Sequence, residues 1–346
     1  MRKVRAVIGL AALLAACGSR AMLSAARDHM RAPCRTAAGP VTWVAEAPLA
    51  EQAEQDAWCA AVGEPVVLHA TSSRPPLDSI LVITWNVKVG GGDVHDLVTQ
   101  LRRGDITGGV PVEHFVLLLQ EVHRSGGTVP DRVAGARVPR RIQGRPPNGR
   151  RSSIDDVART FGLSLAYVPS MRNGASGEDR GNAILAALPL RDVAAIELPL
   201  VRQRRVAVAA TIAGHTTAGQ EWKLQLASVH LENRPARGLT GITDRKQQML
   251  RLLALLPPAP LSVLGGDLNT WVRGECEPAV TLALQHYPDT GRTADDVTFD
   301  GPAFFNARLD YLFARLPGGR FSGYTRIARR YGSDHYPVLA WVSPRG

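Results

Sequence analysis

Leu261-Ser262-Val263-Leu264-Gly265-Gly266-Asp267-Leu268-Asn269 is the stretch that decides how this chain folds. A short run of apolar and small residues has the length of a buried strand, and a carboxylate and an amide follow at its tip. The same arrangement recurs on both sides. Asn86 closes Ile83-Thr84-Trp85-Asn86, Glu121 closes Leu117-Leu118-Leu119-Gln120-Glu121, and His230 closes Ala227-Ser228-Val229-His230. Asp310 sits in Arg308-Leu309-Asp310-Tyr311-Leu312, and Asp334-His335 in Gly332-Ser333-Asp334-His335-Tyr336-Pro337.

One polar strand end is a turn group. Six clusters of Asn, Glu, Asp and His, with almost no lysine among them, describe a shared edge instead. Sheets stacked face to face bring such ends together. The edge then offers hard oxygen ligands for Mg²⁺ and imidazoles able to move protons.

From Ile80 onward, strand-like and helix-like segments alternate to the end. The strand candidates are Leu81–Val87, Phe115–Glu121, Asn182–Ala187, Val206–Ile212, Leu224–His230, Leu261–Asp267, Leu309–Ala314 and Tyr336–Val342. Ser153 predicts a helix cap with Asp156 reaching back, and Ile154, Val157, Ala158 and Phe161 share a face. A second helix is predicted over about Thr243 to Leu256, with Met249, Leu252, Leu253 and Leu256 as its buried stripe and Pro257-Pro258 as its stop. Trp222 and Trp271 stand alone and read as core. The basic stretch from Arg124 to Ser152 reads as a solvated loop, with a phosphate-gripping insertion as the alternative.

The N-terminus predicts export. Arg2, Lys3 and Arg5 precede an apolar run of 11 residues, Ala6 to Ala16, well short of the ~20 needed to span a bilayer but suited to a signal peptide. Residues 1–16 are assigned to that signal, 17–78 to a tether and N-terminal extension holding a short helix over Pro48 to Ala61, and 79–346 to the catalytic domain. Cys34 and Cys59 are able to pair in an oxidising compartment, worth about 3 kcal/mol by loop entropy. Cys276 is then unpaired, and the other pairings stay open. A composition of 45% apolar and 21% charged residues is that of a globular protein and excludes a low-complexity chain. The net charge of +10 suits nucleic acid or an anionic membrane. Because arginine supplies most of it, as in proteins of GC-rich genomes, it says little about substrate.

Taken in order, Thr84-Trp85-Asn86, Leu119-Gln120-Glu121, Gly181-Asn182-Ala183-Ile184-Leu185, Ser228-Val229-His230-Leu231, Gly266-Asp267-Leu268-Asn269, Leu309-Asp310-Tyr311 and Ser333-Asp334-His335 resemble the signature of the endonuclease/exonuclease/phosphatase superfamily across about residues 80 to 342. The resemblance implies a four-layer αββα sandwich of two packed mixed β-sheets flanked by helices. It also implies hydrolysis of phosphate esters by in-line attack of water. Glu121, Asn86 and Asp334 are then the metal site, for Mg²⁺ with Mn²⁺ or Ca²⁺ as alternatives. Asp310 orients His335 as general base, Asp267 and Asn269 position water or phosphate, and Asn182, Asn233 and Arg204 contact phosphate oxygens.

His230 narrows the resemblance. A histidine in His230-Leu231-Glu232-Asn233 resembles the deoxyribonuclease I and sphingomyelinase branch, in which it serves the leaving oxygen or the transition state. Leu14-Ala15-Ala16-Cys17-Gly18 resembles a bacterial lipobox, which implies lipidation at Cys17 and a lipid-anchored, extracytoplasmic protein at the outer membrane or cell surface. The expectation is a monomeric endonuclease acting on DNA or RNA. A phospholipase C-like enzyme or phosphoinositide phosphatase acting on an anionic lipid headgroup is the alternative. A silent surface binder is the third reading, disfavoured because binding alone has no use for Glu121, Asp267, Asn269, Asp310 and His335 together.

Overall fold

A computed structural model describes residues 41–45, 49–70, 75–126, 128–130, 151–173, 177–233, 240–271, 276–290, 297–301 and 306–345. Two mixed sheets dominate. The first has six strands in the order β1 (Thr42–Val44), β7 (Arg191–Glu197), β8 (Val206–His215), β9 (Glu221–His230), β10 (Ser262–Asp267) and β13 (Asp310–Arg315). The second has seven, in the order β14 (Arg320–Arg326), β15 (Val338–Ser343), β3 (Ile80–Asn86), β4 (Phe115–Ser125), β6 (Glu178–Ala186), β5 (Ser164–Arg172) and β2 (Val66–Leu68). A small ribbon pairs β11 (Phe299–Asp300) with β12 (Asn306–Ala307). The helices of the described residues are α1 (Leu49–Ala60), α2 (Val94–Arg103), α3 (Ile154–Phe161), α4 (Thr240–Leu255) and α5 (Pro278–His286).

Alternation along the strands explains the layering. In β3, Ile80 and Val82 face the other sheet and join Val116, Val208, Leu226 and Val263 in the central core. Leu81, Ile83 and Trp85 face outward onto Leu97 and Leu101 of α2 and onto Ile154 and Val157 of α3. On the far side, Val229, Leu264 and Phe313 pack on Met249 and Leu252 of α4 and on Val280 of α5. The result is the expected helix–sheet–sheet–helix sandwich. With both faces covered, β3 and β10 are buried throughout, and for that reason they read as continuous apolar runs.

Some expected detail changes. Ser153 precedes α3 but makes no side-chain cap; its Oγ accepts from Ser125 N at 2.8 Å and joins the helix to β4 instead. The cap with Asp93 Oδ1 accepting from Asp96 N belongs to α2, which ends on Gly104 at φ +80°. The stretch read as an N-terminal extension supplies an edge strand to each sheet, β1 beside β7 and β2 beside β5. Between them, Gly63 N donates to Asp179 Oδ2, and buried Arg124 bridges Asp179 to Glu64 O. Cys59 of α1 is disulfide-bonded and Cys276 is free and exposed. Cys17, Cys34 and most of the basic Arg124–Ser152 stretch lie outside the described residues.

Candidate active site

Strand register builds the centre of the site. His230 of β9 lies level with Asp267 of β10, and Asp267 with Asp310 of β13, in one row at the sheet end. Gly266 allows the close approach, since a Cβ there would lie 1.9 Å from Val229 O. In the facing sheet Asn86 lies level with Gln120. A bulge between Leu119 and Val122 then sets Glu121 at φ +54° and re-aims its side chain.

Hydrogen bonds across the gap hold the sheets in phase. Asn86 Nδ2 donates to Asp267 Oδ2 at 2.9 Å, Gln120 Nε2 to Ser228 Oγ at 3.1 Å, and Ser228 Oγ to Leu119 O at 3.0 Å. The loop carrying His335 is fastened to β3 as well. Ser333 Oγ donates to Asn86 O at 2.7 Å, and Trp85 Nε1 donates to His335 O at 3.0 Å. His335 Nδ1 thereby meets Asp310 Oδ2 at 2.8 Å, leaving Nε2 to face Asp267 Oδ2 at 3.8 Å.

These contacts divide the charges. Burial raises the Asp267 carboxyl from 3.8 to about 7; Asp310 adds to the rise, while His335, Asn86 and Asn269 oppose it. Burial also opposes charge on His335, but Asp310, Asp267 and Asp334 together outweigh it and lift its pKa from 6.5 to about 10. Burial first, then the charges of Arg205, His335 and Arg180, hold His230 well below 6.5. At neutral pH His230 is therefore a neutral imidazole, while the opposite charges of His335 and Asp267 each favour the other's ionised form.

The structure brings together Asn86, Glu121, His230, Asp267, Asn269, Asp310, Asp334 and His335. Glu121 Oε2 accepts from Val89 N at 3.0 Å, and its Oε1 lies 3.9 Å from His230 Nδ1. Asn269 N donates to Asp267 Oδ1 at 2.9 Å, and its side chain donates to Leu231 O at 3.0 Å. Asn182 lines a narrow cleft with Glu121 and His230 while donating to Val206 O at 2.8 Å. Asn233 is exposed, at the last described residue before 234–239.

Arg204 does not reach the site. Its fully buried guanidinium forks onto Glu197, with both bonds at 2.8 Å, and onto Pro169 O at 3.2 Å. Arg205 takes the place expected of it, because neighbouring residues of an extended chain point to opposite faces. Arg205 lines the cleft with Arg180, a residue that the sequence reading missed although it directly precedes Gly181-Asn182. Both arginines are over nine-tenths buried, and Arg205 Nε and Nη2 and Arg180 Nε have no hydrogen-bond partner among the described residues. Buried donors left open beside a cluster of carboxylates suit an anionic guest. Trp271, expected in the core, is half-buried, its ring centroid 5.0 Å from that of Phe299.

The residues fit a divalent cation. Glu121 and Asp334 are partly exposed carboxylates, and Asn86 Oδ1 keeps one lone pair beyond its bond from Lys88 N at 2.9 Å. Asp334 already attracts a cation, the Lys88 ammonium at 3.2 Å. Asp267, Asp310 and His335 form a second, deeper donor group with ligand atoms within 4.8 Å of one another. There the positive charge on His335 works against a metal.

The model of the Endonuclease/Exonuclease/phosphatase family matches residues 83–335. The chain belongs to this family. It is a phosphoric ester hydrolase, and enzymes of the family depend on a divalent metal. No curated protein matches the chain in sequence. Among solved structures, the endonuclease/exonuclease/phosphatase from Beutenbergia cavernae DSM 12333 is 18% identical over 78% of this chain and 72% of that one, with a TM-score of 0.52. That likeness shows the fold. The chain is also similar to D. rerio TDP2 complexed with single strand DNA product (14% identity, 77% and 99% covered, TM-score 0.47) and to the inositol polyphosphate 5-phosphatase domain of SpSynaptojanin (12%, 80% and 85%, 0.42).

Proposed function

We propose that this hydrolase is an extracytoplasmic endonuclease of the deoxyribonuclease I and sphingomyelinase-like branch, cutting DNA or RNA with Mg²⁺ and anchored to the membrane through lipid on Cys17. The supporting observation is the row His230–Asp267–Asp310, faced by the open guanidinium donors of Arg205 and Arg180. Arg180 and Arg205 line a narrow cleft with Glu121, Asn182 and His230, two guanidinium groups against one carboxylate, which suits a phosphodiester of a polyanion. The anchor and the export rest on Leu14-Ala15-Ala16-Cys17-Gly18, outside the described residues.

Arg180, Arg205 and the free side of Asn182 hold non-bridging phosphate oxygens. Asn269 and Asp267 set the attacking water. Its proton goes to the Asp267–His335 pair, which Asp310 keeps in one orientation through Nδ1. His230, neutral and carrying one N–H, hydrogen-bonds the oxygen on which charge develops. Glu121, Asn86 and Asp334 would hold the Mg²⁺, which when bound neutralises phosphate charge and stabilises the developing oxyanion.

The test uses mature protein with plasmid DNA, RNA, sphingomyelin and phosphoinositides in parallel, with Mg²⁺ and then EDTA, beside His335→Ala. Nicking that needs both metal and His335 is the expected result. Headgroup release with inert nucleic acid would overturn the nuclease reading and leave a phospholipase or phosphoinositide phosphatase.

A further inference from the structure

Lys88 and Val89, in the turn that leaves β3, touch all three groups assigned to the metal. Lys88 N donates to Asn86 Oδ1 at 2.9 Å, and Val89 N donates to Glu121 Oε2 at 3.0 Å. The Lys88 ammonium reaches Asp334 Oδ2 at 3.2 Å. The turn has an unusual shape. Its φ is +48° at Lys88 and +53° at Val89, a left-handed conformation that a β-branched residue rarely adopts. Bonds from Gly91 N to Lys88 O at 2.9 Å and from Gly92 N to Val87 O at 2.8 Å close it. Backbone strain of this kind persists where the surroundings over-determine it, as they do at ligand clamps.

The backbone of this turn and its one charged side chain act in opposite senses. The two N–H groups orient Asn86 and Glu121 and still leave each oxygen a lone pair. The ammonium instead neutralises the third group. Asp334 is the one carboxylate that pairs with Lys88 among the described residues, and the other oxygen of Asp334 lies 4.0 Å from His335 Nε2. The side chains of Lys88 and Asp334 are 45% and 28% exposed, so water can replace either partner and the pair is weak. Lysine carries its charge on a flexible four-carbon stem, so the ammonium can leave while the backbone N–H groups stay in place. Affinity for a hard cation follows the charge count of its ligands, and an ammonium close to a divalent ion repels it. Lys88 and a divalent cation therefore compete for Asp334.

We propose that Lys88 is a built-in competitor for the metal. Its ammonium must leave Asp334 when a divalent cation binds, so Lys88 sets the metal affinity and with it the metal concentration at which the enzyme becomes active. The proposal rests on Asn86, Glu121 and Asp334 being the metal ligands, as in the reading above. It holds equally whether the substrate is a nucleic acid or a lipid headgroup.

The experiment titrates Mg²⁺ alone into mature protein by calorimetry, comparing wild type, Lys88→Met and Lys88→Arg. Removing the charge in Lys88→Met should tighten Kd about 3- to 10-fold, the combined effect of a weak exposed ion pair and of repulsion between like charges. Lys88→Arg keeps the charge and should stay near wild type. In an Asp334→Asn background, where the competition has no object, Lys88→Met should leave Kd unchanged. From Cys17 onward the chain has three lysines, Lys88, Lys223 and Lys246, so NMR of ¹³C-methylated lysine follows the ammonium directly. The signal missing from Lys88→Met should shift as Mg²⁺ is added to wild type, while the other two stay still. An unchanged or weaker Kd in Lys88→Met, or a Lys88 signal that does not move as the metal binds, would overturn the proposal while leaving the metal site standing. If wild type binds no Mg²⁺, or binds it as well after Asp334→Asn, the assignment of the ligands fails first and takes the proposal with it.

Discussion

His335 is held through Nδ1 by Asp310 Oδ2 at 2.8 Å while its Nε2 looks across at Asp267 Oδ2, 3.8 Å away. One carboxylate fixes the ring by a hydrogen bond, and the other faces it as an opposite charge beyond hydrogen-bond reach. Asp310→Asn keeps the size of the side chain but removes the charge that contributes most to raising His335. The His335 pKa should then fall from about 10 towards its ordinary value, read from the ring-carbon NMR shift during titration. Loss of acid–base function typically costs 10²- to 10⁴-fold, and kcat should fall within about that range. Metal affinity measured by calorimetry should change far less, since Asp310 is not in the Glu121–Asp334 group.

The pH profile follows from the same pair. Below the Asp267 value of about 7 both Asp267 and His335 are protonated, so neither accepts the proton of water. The rate should therefore rise with pH, with unit slope and a midpoint no higher than about 7, because added positive charge from a metal lowers both groups. For stability the sign is opposite. The folded His335 pKa lies above the unfolded value, so its contribution is full below 6.5 and is lost as pH rises towards about 10. Melting of metal-free protein should show wild type losing Tm between pH 7 and 10 more steeply than His335→Ala.

Neighbouring arginines should behave in opposite ways. Arg204→Ala leaves Glu197 buried without its ion pair, a change worth about 3–5 kcal/mol of stability. Arg205→Ala removes a guanidinium whose open donors face the cleft, and a charge-assisted contact is worth about 1.5–3 kcal/mol. Arg205→Ala should thus cost about 10- to 150-fold in kcat/KM on any phosphodiester with the urea midpoint nearly unchanged. Denaturation and kinetics on the same two proteins check both halves.

That pair also shows what was legible in the sequence. The strand-end residues are legible because β3, β10, most of β4 and the second half of β9 are buried on both faces, so their apolar runs stop abruptly where Asn86, Glu121, His230 and Asp267 begin. Register across sheets is a tertiary property, and no local pattern separates Arg204 from Arg205. Strands β1 and β2 are three residues each, too short for alternation to show, and β14 at a sheet edge mixes exposed and buried positions. An isolated tryptophan such as Trp271 reads as core, but its position follows the turn after Asn269, which composition does not encode.

Asp179 ties the N-terminal segment to the catalytic sheets, and its loss should be felt as stability. Fully buried, it accepts from Arg124, from Tyr167 Oη at 2.7 Å and from Gly63 N at 2.8 Å. Arg124 in turn donates to Glu64 O and lies 5.0 Å from the Tyr167 ring centroid. With no water to screen it, a buried guanidinium deprived of its carboxylate is strongly penalised. Asp179→Ala should therefore cost about 3–5 kcal/mol. Tyr167→Phe removes one neutral donor and should cost nearer 1 kcal/mol. Because Gly63 and Glu64 follow directly on α1, Asp179→Ala should also open this segment to protease before the sandwich unfolds, whereas Tyr167→Phe should not. Limited proteolysis with cleavage mapped by mass spectrometry separates the outcomes. If cuts in Asp179→Ala are scattered through β3–β15, the ion pair supports the whole sandwich and not the N-terminal fastening alone.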